Sequence, residues 1–187
     1  RAIPNLNVFR PCDVVETAEC WQLALADQHR PSIIALTRQG LEQARAEFEE
    51  DNLCARGAYE LAAAEGDAEI SIFATGSEIG IAMEAKASLD EGGHPTRVVS
   101  VPSFEKFAAQ SATYRAETIG NAPVKIGIEA AIRQGWDALI GSDGIFVGMD
   151  GFGASGPYQE LYEHFGITAS AVVEQATARL AEQEPTE

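Results

Sequence analysis

Few residues in this chain have the type and placement to do chemistry. Arg38 follows Thr37 and precedes Gln39-Gly40, at the end of the β-rich run Ser32-Ile33-Ile34-Ala35-Leu36-Thr37. A guanidinium at a strand end offers a planar fork of donors that fits phosphate or carboxylate, and the same group also suits a structural ion pair. Thr75-Gly76-Ser77 joins the apolar run Ile70–Ala74 to a segment rich in Ala, Met, Glu and Lys. Such a strand-to-helix turn bares backbone N–H groups and the positive end of a helix dipole, so it suits an anion. It equally suits a tight structural turn with Ser77 as the helix cap. The turn itself is not GxGxxG and no acidic residue ends the next strand, so it does not carry a dinucleotide fingerprint. Glu129 ends a third apolar run, at the carboxyl end of a strand, where α/β folds place functional groups. Gly151-Phe152-Gly153-Ala154-Ser155-Gly156-Pro157 lacks the Lys-Ser/Thr of a phosphate loop. It remains either a ligand wrap or a shaped structural loop or subunit contact.

Other chemistries find less support. His29, His94 and His164 have no Cys, Asp or second His at ligand spacing and are expected to be exposed. No GxSxG elbow or Cys–His pairing occurs. The thiols Cys12, Cys20 and Cys54 are scattered and odd in number, which fits a reducing cytoplasm. With 29 acidic and 13 basic residues among 187, the formal net charge is -16, a surface that repels nucleic acid and anionic lipid. The densest acidic run, residues 47–51, is expected to be solvated. No apolar run reaches the roughly 18 residues needed to cross a membrane.

These residues have to be held by alternating elements. Asp13 suits an N-cap, Glu16 follows it by three, and Val14, Ala18, Trp21 and Leu25 form a helical stripe, so a helix is predicted over Asp13–Ala26. Arg1–Pro11 looks irregular, and the chain opens on Arg1 without a methionine, as a fragment or processed product does. One helix and the strand before Arg38 cannot make a core alone; they suit the tail of a larger domain. Leu41–Leu53 is polar and acidic and suits a linker. An edge strand is expected near Gly57–Leu61, free to run antiparallel. Then come strand Ile70–Ala74 and helix Glu78–Leu89, strand Thr96–Pro102 with Ser103 capping a helix, strand Val124–Glu129 with helix Ala130–Leu139, and strand Gly144–Met149. A short helix Tyr158–Phe165 and a last one near Ala171–Glu182 precede an acidic tail. This rhythm implies an α/β fold, a three-layer sandwich around a mainly parallel, mixed sheet of about five strands.

Several blocks taken together are more specific than any alone: Ile3-Pro4-Asn5; Arg10-Pro11-Cys12-Asp13 with Glu16; Leu36-Thr37-Arg38-Gln39; Phe73-Ala74-Thr75-Gly76-Ser77-Glu78; Arg97-Val98-Val99-Ser100-Val101-Pro102-Ser103; and Gly148-Met149 through Phe152-Gly153 to Glu163-His164-Phe165-Gly166. In order and spacing the chain resembles the C-terminal portion of transketolase. The resemblance implies residues 1–40 as the end of a pyrimidine-binding domain, 41–54 as a linker and 55–187 as the C-terminal domain. It implies a cytoplasmic homodimer that uses thiamine diphosphate and Mg2+ (or Ca2+) to move a two-carbon ketol unit between sugar phosphates, in a pentose phosphate or carbon-fixing route. Arg38 matches the family arginine that binds the sugar phosphate, although Gly40 stands where the family has asparagine. The catalytic, cofactor and metal residues of the family are expected outside this chain, so the chain alone is expected to be inactive. Two rival readings stand beside this one. The first is an α/β binding module with a regulatory anion or nucleotide at Thr75, Gly76, Ser77 and Glu129. The second is the matching part of a 2-oxo acid dehydrogenase β subunit.

Overall fold

The computed structural model describes residues 1–47 and 49–183. Phe48, inside the acidic run, and the tail expected after the last helix, 184–187, lie outside the described residues. Glu47, Glu49, Glu50 and Asp51 are exposed, as a solvated run should be.

The larger unit is a five-stranded sheet in the order β3-β5-β4-β6-β7, built from β3 (Tyr59–Ala62), β4 (Ile70–Ala74), β5 (Thr96–Ser100), β6 (Val124–Glu129) and β7 (Ile145–Gly148). β4, β5, β6 and β7 run parallel, and β3 pairs antiparallel with β5 at the edge, with a bulge between Glu60 and Ala62. Every residue of β4 is buried. Its side chains divide by the strand period of two. Ile70, Ile72 and Ala74 face a cluster with Ile79, Ala82, Ala85 and Leu89 of α2 (Glu78–Glu91) and Val172 and Ala176 of α7 (Ala169–Gln183). Phe73 faces the other layer, with Val99, Val101, Phe107, Trp136, Leu139 and Ile140. The expected three-layer α/β sandwich is therefore the observed fold. Gly127 of β6 makes that second layer possible: a Cβ there would lie 2.9 Å from the Trp136 ring.

The first residues form a smaller unit. β1 (Asn7–Phe9) and β2 (Ser32–Ile34) pair in parallel, with α1 (Val14–Ala26) between them. β1 falls in the stretch expected to be irregular; a three-residue strand beside Pro and Asn is too short for a periodic signal. α1 begins as predicted, with the Asp13 side chain accepting from the Glu16 amide. Its buried side is not the predicted stripe. Val14, Trp21 and Leu25 are 70%, 51% and 74% exposed, whereas Glu16 and Cys20 are fully buried. Glu16 points into the larger unit and accepts from Tyr59 Oη (2.7 Å), Ser100 Oγ (2.5 Å) and the Cys12 amide (2.7 Å). The polar link 41–54 is also tied down. Asp13 Oδ2 accepts from the Ala44 and Arg45 amides, and the buried Arg45 pairs with Glu19 at 2.6 Å.

Other expectations shift in detail. Ser103 does not cap through its side chain; its helix splits into α3 (Phe104–Ala108) and α4 (Ala112–Ile119), and Ser111 caps the second. Between Ala130 and Leu139 the chain turns through Gly135 at φ +90°, and only α5 (Asp137–Ile140) is helical. α6 (Tyr158–His164) starts at Pro157 and ends before Gly166, as read from the sequence.

Candidate functional site

Two of the candidates in the larger unit, the turn 75–77 and Glu129, meet at one place. The chain leaves β4 for β5 on one side and leaves β6 for β7 on the other, so the crevice between the carboxyl ends of β4 and β6 is a topological switch point. Open α/β sheets bind ligands at such points. Thr75-Gly76-Ser77 forms one wall and Glu129, the last residue of β6, forms the other.

A guanidinium from the smaller unit fills this crevice. Arg10, directly after β1, donates from Nη2 to Glu78 Oε2 at 3.0 Å and from Nη1 to Glu129 Oε1 at 2.5 Å. The second oxygen of Glu129 accepts from Arg1 Nη1 at 2.5 Å and from the Trp136 indole at 2.8 Å. Glu78 Oε1 accepts from Tyr162 Oη at 2.6 Å and from Ser77 Oγ at 2.8 Å. Ser77 therefore does not cap α2; its hydroxyl serves Glu78 instead. The main chain of Arg10 is held as well. Its carbonyl accepts from the Gly76 amide (3.1 Å) and Thr75 Oγ1 (3.3 Å), and its amide donates to Pro102 O (2.9 Å). Gly76 has φ +57°, and a Cβ there would sit 3.3 Å from Arg10 Nη2, so glycine admits both the turn and the guanidinium.

The charges balance within the crevice. Burial pushes the Glu129 carboxyl up, but Arg1 and Arg10 outweigh it and hold its pKa below the usual carboxylate value. Burial works against the charge on Arg10, and Glu78 and Glu129 reverse that effect and raise its pKa. Burial and the charge of Glu78 push Tyr162 up to about 12. The turn, which the sequence left open between an anion seat and a structural turn, here borders a socket for a guanidinium. The acidic lining comes from Glu78 and Glu129, and its cation comes from the same chain.

Arg38 lies elsewhere. β1 and β2 run parallel, so Arg10 and the loop Leu36-Thr37-Arg38-Gln39 leave the small sheet at the same end. Arg38 is exposed, and it makes no ion pair among the described residues. Thr37 Oγ1 donates to the Gln39 side chain and closes the loop around it. A cavity of about 250 Å3 separates this loop from the turn, lined by Arg10, Leu36, Thr37, Gln39, Ser77 and Tyr162 among others. The structure thus joins Thr75, Gly76, Ser77 and Glu129 in one crevice and leaves Arg38 outside it, in a loop whose neighbours Leu36, Thr37 and Gln39 line the adjoining cavity. Sequence reasoning missed Arg10 and Glu78 as members of this site. The signal was faint: a rare cation in an acidic chain, and a carboxylate directly after the TGS turn.

The glycine-rich loop 151–157 is exposed throughout. Gly151 and Gly153 border an apolar cavity of about 410 Å3 that also includes Tyr158 and Tyr162. Phe152 projects fully into solvent. His29 and His164 are exposed, as expected. His94 is half-buried, with Nδ1 3.0 Å from Glu69 Oε2. The three cysteines are buried and free. Among the described residues no helix is long and apolar enough to cross a membrane.

This architecture has known counterparts. Residues 57–168 match the family model described as the transketolase-like C-terminal domain, and residues 1–43 match that of the transketolase pyrimidine-binding domain. A transketolase of Sinorhizobium medicae is 53% identical over 177 residues, covering 94% of this chain and 25% of its own length. Among solved structures, the transketolase of Leishmania mexicana superposes with a TM-score of 0.87 at 36% identity, over 98% of this chain and 26% of that one. The transketolase of Pichia stipitis in complex with sedoheptulose-7-phosphate does so with a TM-score of 0.86 at 34% identity, over 97% of this chain and 26% of that one. This chain spans about a quarter of the length of the relatives it matches. With both family models matched in this order across two units that fold as described, the chain belongs to the transketolase family.

Proposed function

We propose that this chain is part of a thiamine-diphosphate-dependent transketolase, and that its own share of the chemistry is recognition of the sugar phosphate by Arg38. The enzyme would transfer a two-carbon ketol unit from a ketose phosphate to an aldose phosphate. The observation that carries the reading is the placement of Arg38: an exposed guanidinium in the loop after β2, four residues past Ile34, clear of every ion pair among the described residues. A fork held this way is ready for a phosphate rather than spent on a structural partner. The relative from Pichia stipitis was solved with a sugar phosphate, which supports that substrate class.

On this reading residues 1–40 complete a pyrimidine-binding domain, 41–54 link, and 55–187 form the C-terminal domain of a cytoplasmic homodimer in the pentose phosphate or a carbon-fixing route. Cofactor and metal, Mg2+ or Ca2+, would be held by other parts of the enzyme. The described residues hold no group of three or more His, Cys, Asp or Glu placed for a metal ion. The paired carboxylates that do exist, Glu78 and Glu129, are neutralised by Arg10 and Arg1 and fit neither a cation nor a diphosphate. The chain alone would therefore be inactive.

Arg38→Ala in the full-length enzyme tests the assignment. Phosphate binding is close to uniform between ground and transition states, so its loss raises KM more than it lowers kcat. KM for phosphorylated substrates should rise by about ten- to a hundredfold, the loss of roughly 1.4–2.8 kcal/mol of charge-assisted bonding. An unphosphorylated ketose should be affected far less; an equal loss for both would refute the role.

A further inference from the structure

We infer that Arg10 is a positioning residue for the phosphate-binding loop, and that the larger unit contributes to substrate recognition through it. The inference rests on the phosphate-binding role proposed for Arg38. Arg10 is fixed at both ends. Its side chain joins the carboxylate that opens α2, Glu78 at 3.0 Å, to the one that ends β6, Glu129 at 2.5 Å. Its main chain makes three further hydrogen bonds, to Gly76, Thr75 and Pro102. One residue back, Phe9 O accepts from the Ala35 amide at 2.8 Å, and Phe9 pairs with Ile34 in register. Ala35 stands three residues before Arg38. The path from the switch-point crevice to the phosphate fork is thus short and made of strong links: two buried carboxylates, one guanidinium, one strand pair and a loop closed by Thr37 and Gln39.

Among the described residues the larger unit also reaches β1 through Glu105, whose Oε2 accepts from the Val8 amide, but at 3.3 Å and with one bond. Glu16 holds α1, and Asp13 holds the linker, but both act beyond the strand ends. Across the cavity of about 250 Å3, the loop residues Leu36, Thr37 and Gln39 face Arg10, Ser77 and Tyr162 without a direct hydrogen bond among the described contacts. The position of the loop is therefore set from below, by β1 and β2, and the charge cluster sets where β1 ends. An error of about 1 Å in the placement of a recognising group can cost up to about a hundredfold.

The test uses the full-length enzyme. Arg10→Met keeps length and removes both ion pairs. KM for a phosphorylated ketose should rise about tenfold, while kcat/KM for an unphosphorylated ketose changes by no more than about twofold. Arg10→Lys, which can keep one carboxylate, should recover part of the loss. In the double variant with Arg38→Ala, the Arg10 effect should vanish, because there is no longer a fork to position. Should Arg10→Met not fold, Glu78→Gln loosens the same link and is read the same way. Equal losses on both kinds of substrate, no change in KM, or full additivity with Arg38→Ala would each overturn the inference. If Arg38→Ala itself leaves phosphorylated substrates unaffected, the phosphate-binding role fails instead.

Discussion

Gly76 shows how much one residue decides. Its φ of +57° is left-handed backbone, which costs a non-glycine residue about 1–2 kcal/mol. A methyl there would also press on Arg10 from 3.3 Å. Gly76→Ala is therefore expected to lower stability by about 1–2 kcal/mol. Gly80, in α2 with open space around it, gives the control: Gly80→Ala should stabilise by about 0.5–1 kcal/mol. Urea denaturation of both variants checks the pair, and a neutral Gly76→Ala would show that the turn does not need its conformation. The turn and Glu129 were visible in the sequence because glycine after an apolar run and a carboxylate at its end are local patterns. Arg10 was not visible as their partner. Its two carboxylates lie 68 and 119 residues away, and no periodicity connects such positions.

At the scale of elements, α1 is where local reasoning chose the wrong face. The stripe Val14, Trp21, Leu25 is hydrophobic and helical in spacing, yet it stands open, while Glu16 and Cys20 are enclosed. Hydrophobic periodicity names an apolar face; it does not say which neighbour covers it, and buried polar groups escape it when they find partners. The sheet strands were legible for the opposite reason, since β4 is a nearly continuous apolar run and β5 and β6 carry β-branched residues (Val98, Val99, Ile126, Ile128) in a sheet covered on both sides. Short elements such as β1 and α5 carried too few residues to register. Glu16 has a thermodynamic consequence. Burial raises its carboxyl above the ordinary value despite the donors Ser100, Tyr59 and Cys12. A carboxyl whose folded pKa lies above its unfolded one takes up a proton on folding. Its stabilising contribution is full below the unfolded value, about 4.3, and is lost as pH rises through the folded value. Glu16→Gln removes that dependence while keeping shape. The melting temperature of the variant, relative to the parent, should become more favourable as pH rises from about 4. A constant offset across the range would show that burial does not govern this group.

At the scale of the whole molecule, the two units differ in completeness. The five-stranded sheet is covered on both faces by its own helices. The smaller unit buries Phe9 and Cys20 with Cys54 of the link and leaves Ile33, Leu36, Trp21 and Leu25 exposed. Two three-residue strands and one helix cannot bury enough apolar surface alone, and isolated two-stranded sheets are marginal in water. The larger unit stabilises this piece through Glu16 and the Arg10 cluster, and the link adds the Arg45–Glu19 pair. The chain spans about a quarter of its relatives, and Arg38 is exposed and makes no ion pair among the described residues. Ketol transfer is therefore expected to be undetectable when the purified 187-residue chain is incubated with thiamine diphosphate, Mg2+ and a ketose–aldose phosphate pair. Calorimetric titration of the same chain with thiamine diphosphate should give no binding heat. Turnover above the protein-free rate would place part of the catalytic apparatus within these residues and would require a second site beyond the neutralised crevice.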